Sequence, residues 1–178
     1  MKLFTFLHTL VAQFDDFIGT TLRALRDIFD YPVSTYTIFE EDSRGETCIA
    51  SNHSLFFSKR ELEFYNSIGC KSDIAYRNSK IDWTNNSSRY AFVTEFKEGT
   101  SNPYEQAMEK RGIKCQIRIG SHTRASAPVH VLSVYKPLRS NYLDDYELLL
   151  LGAIGQVFSE CVGLYKKYER AQKDAQMY

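Results

Sequence analysis

Arg118 stands in the middle of the alternating run Ile113-Lys114-Cys115-Gln116-Ile117-Arg118-Ile119. In a strand, that alternation sends Ile113, Cys115, Ile117 and Ile119 to one face and Lys114, Gln116 and Arg118 to the other. A guanidinium in mid-strand must reach solvent or meet an anion. A carboxylate or phosphate on a ligand would satisfy it through paired hydrogen bonds. A salt bridge to a glutamate such as Glu95 would serve equally well. Other residues are expected on the same side. Tyr90 and Phe92 come from a neighbouring run, Tyr104 from a short helix, and Tyr76, Arg77 and Trp83 from a long polar stretch. Tyr76, Arg77, Trp83, Tyr90, Phe92, Tyr104, Gln116 and Arg118 are therefore the expected ligand-binding set. Aromatic faces, hydroxyls and guanidinium groups in such a set suit reversible recognition of a small molecule.

Bond-making chemistry finds less footing. The chain has no Gly-x-Ser-x-Gly and no glycine-rich phosphate loop. Cys115 and His130 could meet across adjacent strands, but the alternation places Cys115 on the apolar face, where a thiol is inert. Glu40-Glu41, Asp144-Asp145 and Asp15-Asp16 fall in turns or at helix starts, where solvation and capping explain them. Cys48, Cys70, Cys115 and Cys161 form no close pair, so neither a disulfide framework nor a zinc ribbon is expected. His8, His53, His122 and His130 are equally scattered. No metal and no cofactor are expected, and no enzymatic activity.

Composition narrows the partners. Lys plus Arg number 22 and Asp plus Glu number 22, so the chain carries no net charge and no general pull on nucleic acid or anionic lipid. The apolar opening Met1 to Leu7 is broken by His8 and Gln13 and lacks a cleavage site, so it does not read as a secretion signal. No stretch reads as long and apolar enough to span a membrane. Reduced thiols point to the cytoplasm.

The elements that must position the binding set follow from pattern. Leu3 to Phe29 reads as one long helix, stopped at Tyr31-Pro32. Val33 to Glu40 and Glu46 to Ser51 read as a hairpin. Ser58 and Glu61 form a capping box for a short helix that Gly69 ends. Cys70 to Ser88 is polar and too long for an idle connection. Arg89 to Phe96 reads as a strand. Pro103 to Arg111 reads as a helix closed by Gly112. Ile113 to Gly120 and Pro128 to Tyr135 read as two further strands. Asn141 to Lys173 reads as the last helix, with Asn141 as its cap, Asp144 and Asp145 at its start, and Lys166, Lys167, Arg170 and Lys173 at its end.

That helix carries two apolar rows. One is Leu148, Leu151, Gly155, Phe158, Val162 and Tyr165; the other is Leu150, Ile154, Val157, Cys161, Leu164 and Tyr168. Two rows suggest two partners, the domain's own sheet and a second copy of the chain. A single wide core face is the other reading. On the first, Leu148, Leu151, Phe158, Val162 and Tyr165 are the expected dimer interface. Strands joined by turns imply an α+β fold: an antiparallel sheet with the terminal helices on one face, and short helices plus the long loop over a pocket on the other. Residues 1–178 read as one domain.

This order resembles a GAF domain from roughly Phe14 to Tyr168. The closing strand Val129-His130-Val131-Leu132-Ser133-Val134-Tyr135, followed by Asp144-Asp145-Tyr146-Glu147-Leu148-Leu149, is similar to the family's last strand and acidic-start helix. Asn102-Pro103-Tyr104-Glu105 to Gly112-Ile113 resembles the GAF-like sensory halves of LuxR-type bacterial transcription regulators. The resemblance implies a sensory module that binds a small molecule, dimerises through its terminal helices and relays its state along the last helix. Contact with DNA would then come only through an output domain outside this chain. The chain is expected to be a piece of a longer regulator or to act alone. None of the cysteines has the neighbours that bilin-holding members show. The alternative is a ligand-free dimerisation and relay module.

Overall fold

The computed structural model describes residues 1–41, 43, 47–73, 91–120, 129–137 and 144–176. Among these, five antiparallel strands form one sheet in the order β2-β1-β5-β4-β3. The strands are β1 (Ser34–Glu41), β2 (Thr47–Ser54), β3 (Ala91–Glu95), β4 (Ile113–Gly120) and β5 (Val129–Pro137). Helices α1 (Lys2–Ala12), α2 (Phe17–Phe29) and α5 (Asp145–Gln176) lie on one face. Helices α3 (Lys59–Phe64) and α4 (Pro103–Lys110) lie on the other, where Leu62, Tyr104 and Met108 pack with Tyr135. The α+β layering expected from the sequence is the layering found.

The first helix is two helices, not one. Gln13 leaves helical geometry at φ −136° and ψ 53°, and a 3-10 turn, Phe14–Asp16, separates α1 from α2. The break brings Phe14 against Tyr165 and Tyr168 of α5, at ring distances of 6.2 and 5.5 Å. Asp15 and Asp16 then precede α2, where its helix dipole favours negative charge. Asp30 closes α2 in the left-handed region at φ 61°, and the Tyr31 N–H reaches back to the Leu25 carbonyl, a glycine-type terminus made by Asp.

The helix-covered face holds the main core: Phe6, Leu10, Phe17, Leu25, Tyr36, Ile117, Ile119, Leu132, Val134, Leu151, Ile154 and Phe158 are all buried. Burying side chains of this size stabilises by roughly 1.5–3 kcal/mol each before entropy is counted. The two rows of α5 do not divide between the sheet and a second copy as the sequence suggests. Leu151, Phe158 and Val162 are 0% exposed inside this core, so they offer nothing to a second copy. Tyr165 stacks on Phe17 at 4.6 Å, and of the expected interface only Leu148 is exposed. Ile154 and Cys161 from the second row are buried beside them, so the single wide core face is what α5 has. By length and composition alone this 32-residue helix would suffice to cross a membrane, against the sequence reading; here a third of its most apolar window is buried in the protein. Asn141 lies outside the described residues. The α5 start is capped by Asp144, whose carboxylate accepts the Glu147 N–H at 2.7 Å.

β4 also departs from the alternation expected of it. Register shifts by one residue between Ile113 and Cys115. That bulge turns Ile113 to the opposite side from Cys115, Ile117 and Ile119, so it packs with Phe57, Tyr104, Met108 and Tyr135.

Candidate functional site

The face of the sheet away from the terminal helices is a cleft. Its floor is Thr35, Thr37 and Phe39 from β1, Val131, Ser133 and Tyr135 from β5, and Gln116 and Arg118 from β4. Its roof is Phe57, Leu62, Phe64 and Tyr65, with Tyr104 and Met108 from α4. About 60 Å³ of it is open to the centre of a water-sized sphere, several times the roughly 10–15 Å³ that one water needs.

Local sequence explains how the roof is fixed. Ser58 and Glu61 make the expected capping box, which sets the start of α3. Asn102 caps α4 by accepting the Tyr104 and Glu105 N–H groups, and Pro103 occupies the first turn. The Asn102 amide also donates to the Ser72 carbonyl at 2.6 Å, joining α4 to the chain that leads into Asp73. Gly112 takes φ 68° at the turn into β4, a conformation glycine adopts without strain. At the rim, Arg111 pairs with Glu61 across the two short helices and lies 6.0 Å over the Phe56 ring.

The floor carries a connected set of buried polar groups. The Gln116 amide donates to Ser133 Oγ at 3.1 Å and to the Tyr135 hydroxyl at 3.2 Å. Thr35 Oγ lies 3.3 Å from the Tyr135 hydroxyl. The Tyr104 hydroxyl reaches Gln116 Oε1 and the Tyr135 hydroxyl, each at 3.5 Å. Thr37 donates to Asn52 at 3.0 Å. Burial holds the Tyr104 phenol well above its ordinary pKa and raises that of Tyr135, so both stay protonated.

Arg118 finds an anion, but one of the protein's own. Its guanidinium donates to the Asp73 carboxylate at 2.8 Å, and Tyr65 donates to the same oxygen at 2.8 Å. Burial disfavours the guanidinium charge, and Asp73 with the facing tyrosines more than offsets this, leaving Arg118 above its ordinary pKa. Glu95, the alternative weighed from sequence, is exposed and pairs in register with Cys115.

Of the expected binding set, Tyr104, Gln116 and Arg118 come together in the cleft. The β3 backbone sets Phe92 opposite Arg118 in register, while its side chain, like Tyr76, Arg77, Trp83 and Tyr90, lies outside the described residues. Sequence reading missed Asp73, Tyr65, Tyr135 and Ser133. Period-two alternation along β5 places Ser133 and Tyr135 on one face, and that was the available signal. Cys115 and His130 do not meet: Cys115 pairs with Lys136, at the far end of β5. Among the described residues no group of three His, Cys, Asp or Glu side chains is placed to hold a metal ion.

No protein-family model matches the chain, and no curated protein matches it. Solved structures do. The VqsR LBD domain from Pseudomonas aeruginosa is similar with a TM-score of 0.64 at 15% identity, over 94% of this chain and 97% of that one. CepR2 from Burkholderia cenocepacia, an N-acylhomoserine-lactone-dependent LuxR-family transcription factor, is similar with a TM-score of 0.60 at 15% identity, over 96% and 99%. A GAF domain from Synechocystis, in its photoproduct state, is similar with a TM-score of 0.54 at 11% identity, over 89% and 98%. At such identities the likeness establishes the fold. The sheet order, the terminal helices on one face and the cleft on the other make this a GAF-like α+β domain, the fold it shares with these sensory proteins.

Proposed function

We propose that this chain is a small-molecule-sensing GAF-like module, the sensory part of a LuxR-type transcription regulator, acting in the cytoplasm and without catalysis. One observation carries the reading. The face of the sheet away from the terminal helices is lined by buried hydroxyl, amide and charged side chains where an apolar layer would have stabilised the fold more simply. Such departures from the packing optimum belong to binding sites. Relay through the terminal helices has a direct route. Thr35 and Thr37 face the cleft, and Tyr36 between them faces the other way, against Phe17 of α2 and Phe158 of α5. Homodimerisation through terminal helices belongs to the same reading, on surface that the core leaves free.

The test is thermal unfolding of the purified chain with N-acylhomoserine lactones of graded acyl length, the class named for CepR2, beside native mass spectrometry of the untreated protein. A midpoint rising with concentration for one length, or a retained extra mass, supports the sensor. No shift and no retained mass favours the second reading, a ligand-free dimerisation and relay module. That reading draws on the way the floor's polar groups already bond one another.

A further inference from the structure

Two departures from regular helix meet at one place in the fold. The first is the break at Gln13. No proline or glycine adjoins it, yet a continuous helix is given up there for the 3-10 turn Phe14–Asp16. The second is Gly163 in α5. A glycine inside a helix weakens it relative to alanine. Close packing does not call for this one, because it is exposed and an added Cβ would meet nothing within 4 Å. Gly152 is equally open, but it lies between the buried Leu151 and Ile154, where the core holds α5 on both sides. Gly163 follows the buried Cys161 and Val162, and no later residue among those described in α5 is buried.

Past Gly163 the turn grips the helix. Tyr165 stacks on Phe17 at 4.6 Å with 13° between the rings. Phe14 lies 6.2 Å from the Tyr165 ring and 5.5 Å from the Tyr168 ring, and the Tyr168 hydroxyl donates to Asp15. From Glu169 to Gln176 every residue is exposed. The broken helix thus supplies the hold on the weakened one. Local irregularities that coincide in this way mark places where function has overridden the simplest packing.

We propose that α5 beyond Val162 is a releasable arm, clasped to the domain by the turn Phe14–Asp16 and freed at Gly163 without unfolding of the sheet. The clasp is closed in this structure. Its inner ring, Phe17, lies 6.2 Å from Tyr36, which stands on β1 between the cleft-facing Thr35 and Thr37. That contact would let the cleft bias the clasp. The arm itself does not depend on a small molecule binding there, so this inference and the sensor reading fail separately.

The test is residue-by-residue amide hydrogen exchange, followed by NMR on the labelled chain. A freed segment of this length holds little helix by itself in water, so release opens its backbone hydrogen bonds to exchange. The amides of Tyr165 to Tyr168 are expected to exchange about tenfold or more faster than those of Ile154 to Phe158. Phe14→Ala is expected to speed Tyr165 to Tyr168 by about tenfold again and to leave Ile117 and Val134, in the sheet, unchanged. Gly163→Ala is expected to slow the same amides by roughly fivefold. Should Phe14→Ala fail to fold, Tyr168→Phe decides: loss of its exposed bond to Asp15 is expected to speed Tyr165 to Tyr168 by roughly threefold, with the sheet again unchanged. Amides of Tyr165 to Tyr168 that exchange only as slowly as Ile117 and Val134 overturn the proposal. So does a deciding variant that leaves the arm's rates as they were, or that speeds arm and sheet by the same factor, because the arm would then have no opening of its own.

Discussion

The guanidinium of Arg118 lies 2.8 Å from the Asp73 carboxylate, and the two side chains are 2% and 1% exposed. The pair joins the cleft floor to the chain that follows α3. Removing one partner strands a buried charge, which costs about 3–5 kcal/mol, while replacing both costs far less. Arg118→Met is therefore expected to lose stability on that scale in urea unfolding. Arg118→Met with Asp73→Asn is expected to recover more than half of the loss. A double variant as unstable as the sum of its single variants would show that the two groups do not act together.

Stability should also depend on pH through His130. Its ring is 4% exposed, with Nδ1 2.8 Å from the Tyr36 hydroxyl. Burial first, and the Lys166 charge second, lower its pKa from the ordinary 6.5 to about 4. The unfolded chain then binds a proton below 6.5 that the folded chain refuses until about 4. Stability is whole above pH 6.5 and drains as pH falls through that window. Between pH 8 and 5 the loss attributable to this ring is about 2 kcal/mol. Urea midpoints measured across that range should fall for the native chain and stay nearly level for His130→Gln. An equal slope in both would assign the effect to other groups.

The sequence revealed the faces of the sheet better than the partners across it. Ile117 and Ile119 against Gln116 and Arg118 could be assigned because period-two alternation is a purely local property of a strand. Asp73 could not be found as the partner of Arg118, because nothing local links residues so far apart in the chain. Ile113 was placed on the wrong face because one bulge residue inverts the alternation behind it. The break at Gln13 was hidden by apolar residues that keep helical spacing on both sides of it. Tyr104 was legible as a binding candidate from its helix, but its hydroxyl's neighbours, Gln116 and Tyr135, emerge only once β4 and β5 stand beside it.

The rows of α5 show the same limit and yield a third prediction. Helical spacing tells that an arc is apolar, not whether a sheet or another chain covers it. Phe158 is 0% exposed and meets Tyr36 at a ring distance of 5.5 Å. Phe158→Ala should cost about 3–5 kcal/mol, and Leu151→Asp should prevent folding. Circular dichroism would register both as losses of the monomer fold. Were Leu151→Asp to give a folded monomer by sedimentation, the burial described for α5 would be wrong.

Any homodimer through the terminal helices must use what the core leaves outside. On α1, Phe4, Leu7 and Val11 are 73%, 36% and 42% exposed and follow one another by three and four residues, the spacing of a helix-pairing seam. On α5, Leu164 is also exposed, at 44%. Phe6 and Leu10, the buried residues of α1, face inward and hold the helix to the domain. Glutamate at both Leu7 and Val11 should therefore leave the thermal midpoint of the isolated fold within a few degrees, because neither side chain is in the core. If α1 pairs with a second copy, the same double variant should sediment as a monomer at concentrations where the native chain sediments as a dimer. A native chain that is itself monomeric at about 100 µM would remove dimerisation from the proposed function and leave relay to the single domain.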